Sequence, residues 1–246
     1  MKPDVTIGTV FCNGLYALRL MWRSYAHYNS EVPVNFWCWN NDSLDGAAEY
    51  AQKMAKTVFN RSIRTSHQQG AREMCLACET QFFLLVDVDV EFLAPFTTHA
   101  LCALLDDPNA LCVAYPAGSP AKGFKVGLFD GLFEGAPRID PCCVMFRTDK
   151  IKELLRYSTF DTLVDTGSRV FYDVGAVLRK DAVKAGMAII EPSWVRNAVK
   201  HYGQIGAYVG NHKLDDKLTE ALRVRYETIK RRSDFYVEVY ESFGNS

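Results

Sequence analysis

The sequence predicts an α/β protein with a mostly parallel central sheet, helices on both faces of that sheet and a helical extension at the C-terminus. Two observations carry this expectation. Short apolar runs of strand length alternate with stretches whose apolar residues recur every three or four positions, giving β-α-β-α-β from Val5 to Val86. One of these runs, Phe82 to Val86, is continuously apolar, the pattern of a strand buried on both faces. A chain of 246 residues, 48% of them hydrophobic, is long enough to bury such a core.

Each element has its own signal. Val5 to Phe11 reads as the first buried strand, and Leu15, Leu18, Trp22 and Tyr25 follow at helical spacing. Val34, Phe36 and Cys38 alternate with Asn35, Trp37 and Trp39 in a second strand that ends at Asn40-Asn41-Asp42. Ser43 reads as the N-cap of a helix carrying Leu44, Ala47, Ala51 and Met54, and Thr57 to Asn60 as a short third strand. A third helix is expected over Ser66 to Gln81, then the strand Phe82 to Val86, which runs into Asp87-Val88-Asp89. After a turn at Pro95 come a helix to about Asp106 and a strand from Ala110 to Tyr115.

Residues 116–137 hold five glycines among Phe and Leu, and read either as a lid or acceptor-side loop or as a plain surface excursion. Ile139 to Phe146 is a further strand and Thr148 to Tyr157 a helix. Val174, Val177, Leu178, Ala182 and Ala185 define another helix, and Met187 to Ile190 a short strand. Residues 213–232 form a charged helical tail with a surplus of three positive charges, a solvated face or a guide for an anionic acceptor or a membrane surface.

A formal net charge of -1 argues against a protein built mainly to hold nucleic acid, although a local basic face is compatible with it. Met1 to Asp4 is short and polar. No signal peptide and no apolar run long enough to span a bilayer is read, so a cytoplasmic location with reduced cysteines is expected. Cys38, Cys102, Cys112, Cys142 and Cys143 lie in apolar runs. Cys75 and Cys78 form a single CxxC on an apolar stripe with Ala71 and Met74, which fits core packing better than zinc.

In a parallel sheet, ligands gather at the carboxyl ends of the strands. Phe11 to Asn13, Asn40 to Asp42 and Asp87 to Asp89 should therefore cluster. Asp87 and Asp89 carry the sharpest chemical signal. Two apart in an extended segment, they face one side, and paired carboxylates at a buried strand end repel unless a cation joins them. Mg²⁺ and Mn²⁺ prefer oxygen ligands and also hold phosphate oxygens, so such a site can offset the charge of a departing diphosphate. The bland alternative is two polar residues that end a strand.

The segment HQQGAREMCLACETQFFLLVDVDVEF resembles the helix, strand and DxD core of the GT-A nucleotide-sugar glycosyltransferases, specifically their large inverting group. TVFCNGLYALRLMWRSY is similar to that family's first strand and helix, and NFWCWNNDSLDGAAEYAQ to its second. PCCVMFRTDKIKEL, FYDVGAVLRKDAVKAGMAII and KHYGQIGAYV are similar to later elements.

The resemblance implies a GT-A-like fold over residues 1–212 with a helical extension over 213–246. It implies a metal-dependent transfer of a sugar from a nucleoside-diphosphate sugar, UDP- or GDP-linked, to a hydroxyl, with inversion. Asp87, Asp89 and His201 would hold Mn²⁺ or Mg²⁺. Thr9, Phe11, Asn13, Asp42, His67, Arg72, Asp87 and Val88 would meet the nucleotide-sugar, and Asp173 would be the base. Tyr172 stands where the family's first of two successive acids is usual, so Asp140, Asp161, Asp165 and Glu134 stay in reserve.

Plainer roles stand beside these: a turn residue at Asp42, a solvated face at His67 and Arg72, a helix cap at Asp173, a structural imidazole at His201. The four tryptophans read as core, with Trp194 the exception best placed to stack on a ligand. The acceptor stays open among a carbohydrate, a lipid-linked substrate, a protein and a modified DNA base. Two other functions are compatible: a sugar-phosphate nucleotidyltransferase, and a non-catalytic carbohydrate- or nucleotide-binding module. Thr9-Val10-Phe11-Cys12-Asn13-Gly14 lacks the basic residue usual in a nucleotidyltransferase's first loop.

Overall fold

A computed structural model describes residues 4–63, 65–118, 122–123, 131–203, 205, 209 and 216–243, with side chains described except at 216–218 and 237–243. The expected alternation is realised by β1 (Val5–Phe11), α1 (Leu15–Tyr28), β2 (Val34–Asn41), α2 (Ala47–Met54), β3 (Thr57–Arg61), α3 (His67–Ala77) and β4 (Phe82–Val86). There follow β5 (Val90–Phe92), α4 (Thr97–Asp106), β6 (Ala110–Tyr115), β7 (Glu134–Gly135), β8 (Asp140–Arg147), α5 (Thr148–Leu154), β9 (Leu163–Asp165) and β10 (Val170–Tyr172). The chain continues through α6 (Ala176–Lys184), β11 (Ala188–Ile190), α7 (Val195–Ala198), β12 (Val199–His201) and α8 (Asp216–Phe243).

The central sheet has seven strands in the order β11-β6-β8-β4-β1-β2-β3. It is parallel except for β8, which runs antiparallel to both β4 and β6. The side-chain alternation of β4 divides its burial between the two faces. Phe82, Leu84 and Val86 join the core under α1, α4 and α8, while Phe83 and Leu85 join the core under α3, α5 and α6. Burying a side chain such as Leu84 contributes roughly 1.5–3 kcal/mol. All six cysteines at 38, 75, 78, 112, 142 and 143 are buried thiols, and Cys75 and Cys78 pack in the α3 core. Cys102, expected in an apolar run, is exposed on the outer side of α4.

Several boundaries differ from the sequence reading. Ser43 does not cap α2: its Oγ accepts from the Asn13 amide at 2.8 Å, Leu44 is exposed, and the helix starts after Gly46. Gly46 has φ +85°, a left-handed conformation that glycine adopts without strain. Ser66 does cap α3, its Oγ accepting from Gln69 N at 3.1 Å. That helix ends at Ala77 rather than Gln81, because the chain must extend into β4. Thr80 Oγ1 donates instead to Thr6 Oγ1 at 2.8 Å. The helix expected over Thr148 to Tyr157 stops at Leu154, and Val174 precedes α6 rather than opening it.

Within the glycine-rich segment, β7 pairs with β10 in a small three-stranded sheet, whereas residues 119–121 and 124–130 lie outside the described residues. The C-terminal tail is helical to Phe243 and packs along α1, with Leu222, Ile229 and Tyr236 buried. Lys213 and Asp215 lie outside the described residues. No described helix is long and apolar enough to cross a membrane.

Candidate metal centre and donor cavity

The carboxyl ends of β1 and β4 open into a cavity of about 620 Å³, a size typical of small-ligand sites. Three parts of its wall come from the expected strand ends: Val10, Phe11 and Cys12 at the end of β1, Asn41 at the end of β2, and Asp87, Val88 and Asp89 after β4. The turn into α3 adds Thr65, Ser66, His67 and Gln68. Arg138, Asp140, Pro141, Val174 and His201 close the far side.

His201 reaches the two aspartates through a pairing that joins distant parts of the chain. β12 runs antiparallel to β5 with His201 opposite Val90, so the strand that follows the DxD turn carries the histidine back to it. His201 Nε2 stands 3.1 Å from Asp89 Oδ1 and 3.7 Å from Asp87 Oδ2. One ligand atom from each of the three residues lies within 4.8 Å of the others. Asp89 is buried and further fixed, its Oδ2 accepting from Ile205 N at 3.1 Å and its carbonyl from Tyr202 N at 3.0 Å. On the other side, His67 Nε2 stands 3.2 Å from Asp87 Oδ1.

Burial acts to raise the Asp87 carboxyl, but His67 and His201 outweigh it and hold Asp87 below its ordinary value. Burial likewise acts to lower both histidines, and the carboxylates beside them win and raise both. Two carboxylates and an imidazole form a mixed oxygen and nitrogen donor set that suits Mn²⁺, whereas Mg²⁺ keeps more strictly to oxygen. The residues present therefore fit a divalent cation.

Asn41 shapes the side of the cavity between β2 and α3. Its Nδ2 donates to Thr65 O at 2.7 Å and its Oδ1 accepts from Thr65 N at 2.8 Å, pinning the start of α3 against the end of β2. On the opposite side Arg138 bridges two acids, bonding Asp173 through one guanidinium nitrogen and Asp140 at 3.3 Å through the other. Asp173 follows β10 and does not itself line the cavity, although Val174 beside it does; it is 41% exposed, and its Oδ1 accepts from Val174 N at 2.8 Å. It is not the N-cap of α6, which is Gly175.

Of the residues singled out from the sequence, Phe11, His67, Asp87, Val88, Asp89 and His201 line the cavity. The others stand elsewhere. Thr9 is fully buried in the sheet. Asn13 ties its loop to the next, accepting from Leu44 N at 2.8 Å and donating to Val209 O at 3.3 Å. Asp42 sits beside the wall in a left-handed turn with φ +63°. Arg72 donates to Leu155 O at 3.0 Å, joining α3 to the end of α5. Among the reserve acids only Asp140 lines the cavity. Asp161 and Asp165 bond Thr159 and Ser168, and Glu134 is exposed on β7. Trp194 packs against Phe96 and His99 instead of lining the site.

Arg138 and Asn41 were not picked out from the sequence as site residues. Asn41 falls within the predicted strand-end cluster, but Arg138 has no local signal for Asp173, which the turn after β10 brings to it across the start of β8.

Two solved structures superpose on this architecture. Mannosyltransferase PcManGT from Pyrobaculum calidifontis, in complex with GDP-Man and Mn²⁺, matches with a TM-score of 0.55 over 98% of this chain and 76% of its own, at 14% identity. GalNAc-T7 with UDP, GalNAc and Mn²⁺ matches with a TM-score of 0.56 over 76% of this chain and 42% of its own, at 12% identity. The fold is GT-A. No protein-family profile and no curated protein sequence matches the chain. At these identities the likeness concerns the fold, and the chain spans under half the length of the second protein.

Proposed function

We propose that this protein is a metal-dependent glycosyltransferase that moves a sugar from a UDP- or GDP-linked donor to an acceptor hydroxyl. The observation that carries the reading is the Asp87, Asp89 and His201 triad at the mouth of a ligand-sized cavity. These residues would hold Mn²⁺, whose charge offsets the negative charge that develops on the departing diphosphate. Phe11, Val88 and His67 form the wall against the donor, with the nucleotide lying toward Asn41, Thr65 and the capped start of α3. Thr9, Asn13, Asp42 and Arg72 then act as support around that wall.

Asp173 is proposed as the base that takes the proton of the acceptor hydroxyl as its oxygen attacks the anomeric carbon, which gives inversion. Arg138 restrains the carboxylate at the rim, and Asp140, on the same guanidinium, is the alternative base. The sugar would lie between this acidic rim and the triad.

One contact weighs against a nucleotidyltransferase. The Asp45 carboxylate accepts from both Gly14 N at 2.6 Å and Leu15 N at 2.9 Å, occupying the start of α1 that would otherwise face a triphosphate. The deciding experiment is a thermal-shift screen of nucleotide sugars with and without Mn²⁺. A metal-dependent rise in Tm for a nucleotide sugar, absent in Asp89→Ala, is expected. Pyrophosphate release from a nucleoside triphosphate and a sugar phosphate would overturn the reading.

A further inference from the structure

The triad adjoins a part of the chain that is far away in sequence. Glu91, two residues beyond Asp89 on β5, is 1% exposed, so its charge must be met inside the protein. Its carboxylate accepts from Tyr202 Oη at 2.7 Å, from Arg232 Nε at 2.8 Å and through a second Arg232 nitrogen, and from Tyr236 Oη at 3.4 Å. Tyr202 directly follows His201. Arg232 and Tyr236 belong to α8. A second arginine of α8 reaches the same place from above: Arg225 Nη1 donates to the carbonyls of Tyr202 at 3.0 Å and Gly203 at 3.4 Å. The short segment that carries one metal ligand is thus held on its sheet side by β5 and on its outer side by two arginines two turns apart on α8.

We infer that α8 is the mount of the metal ligand His201, with Glu91 as the joint and Arg225 and Arg232 as positioning residues for the metal centre. This rests on the metal reading proposed above. β12 is three residues long, and such a strand held only by β5 would leave His201 weakly constrained. Holding Tyr202 by its side chain and Tyr202 and Gly203 by their carbonyls fixes the approach of the imidazole to Asp89. Residues that orient a ligand commonly affect metal affinity by about tenfold or more when they are changed. By linkage the coupling runs both ways: a cation on the triad should tighten the docking of α8 by the same factor with which α8 tightens the cation.

A buried ion pair can serve stability alone, so the test needs a readout that a purely structural role leaves unchanged. Mn²⁺ is titrated into the full-length protein and free Mn²⁺ is followed by its paramagnetic resonance signal. Amide exchange across α8 is measured with and without the metal. The expected results are binding by the unaltered protein, weakening by about tenfold or more in Arg225→Gln/Arg232→Gln, and partial recovery in Arg232→Lys. Arg223→Gln, which changes an exposed arginine paired with Glu220 on the same helix, should bind normally. Mn²⁺ should slow exchange in α8 of the unaltered protein and not in the double variant.

Should the double variant fail to fold, Tyr202→Phe removes only the hydroxyl on Glu91 and should weaken binding by several-fold. A natively folded double variant, or Tyr202→Phe in its place, with unchanged Mn²⁺ affinity would overturn the role of α8 while leaving the metal site intact. If the unaltered protein bound no Mn²⁺, the metal reading itself would fall.

Discussion

The carbonyl oxygen of Ile139 lies directly over Gly175, so close that a Cβ at position 175 would stand 2.2 Å from it. The same two residues are hydrogen-bonded, Ile139 N donating to Gly175 O at 3.3 Å. Gly175 also has φ +82°. This contact presses the turn after β10 onto the start of β8, and it is what brings Asp173 to Arg138. Gly175→Ala should therefore destabilise the protein by about 2 kcal/mol or more, from left-handed strain together with overpacking against backbone that cannot swing aside. Urea unfolding of the two proteins would measure it, and a loss within a few tenths of a kcal/mol would show that the turn adapts.

His201 can be tested apart from the aspartates. Changing His201 to Ala removes the nitrogen donor of the triad and leaves both of its carboxylates in place. Mn²⁺ affinity should fall by about tenfold or more, and the preference for Mn²⁺ over Mg²⁺ should narrow, because the remaining donors are all oxygen. Calorimetric titration with each metal gives both numbers. An unchanged preference would remove His201 from the site.

Asp173→Asn keeps the shape of the side chain and its contact with Val174 N but abolishes its basicity. Turnover should fall by about 10²–10⁴-fold, with the metal-dependent donor binding retained. If turnover survives and Asp140→Asn abolishes it instead, the base is Asp140. Arg138→Gln should lower turnover less than Asp173→Asn, since it loosens the carboxylate without removing it.

Asn41→Leu strands both backbone groups of Thr65, the amide at 2.8 Å and the carbonyl at 2.7 Å. The expected cost is about 1 kcal/mol, the low end for backbone groups left without partners, because both are only part-buried. The start of α3 should shift with it, so nucleotide-sugar affinity should drop while Mn²⁺ affinity stays the same. Equal losses for both ligands would mean that Asn41 supports the fold and not the nucleotide wall.

Much of the architecture was legible along the chain. The strands Val5–Phe11 and Phe82–Val86, the spacing of α1 and the Ser66 cap are local signals, and local signals need only neighbouring residues. The end of α3 is not legible locally, because Thr80 and Gln81 look compatible with a helix until β4 must start beside β1. Ser43 has the chemistry of a cap, yet Asn13, thirty residues earlier, engages it first.

By itself the sequence determined the alternation of strands and helices, and that two carboxylates would stand at the end of a fully buried strand. Periodicity and a strand's twofold alternation settle both, and neither depends on what lies elsewhere. Only the tertiary structure decided that β12 returns His201 to Asp89, that Arg138 holds Asp173 and Asp140 together, and that α8 closes on Glu91. Those contacts join residues far apart in the chain, and their geometry follows from strand order, the reversal of β8 and the packing of a helix across the sheet.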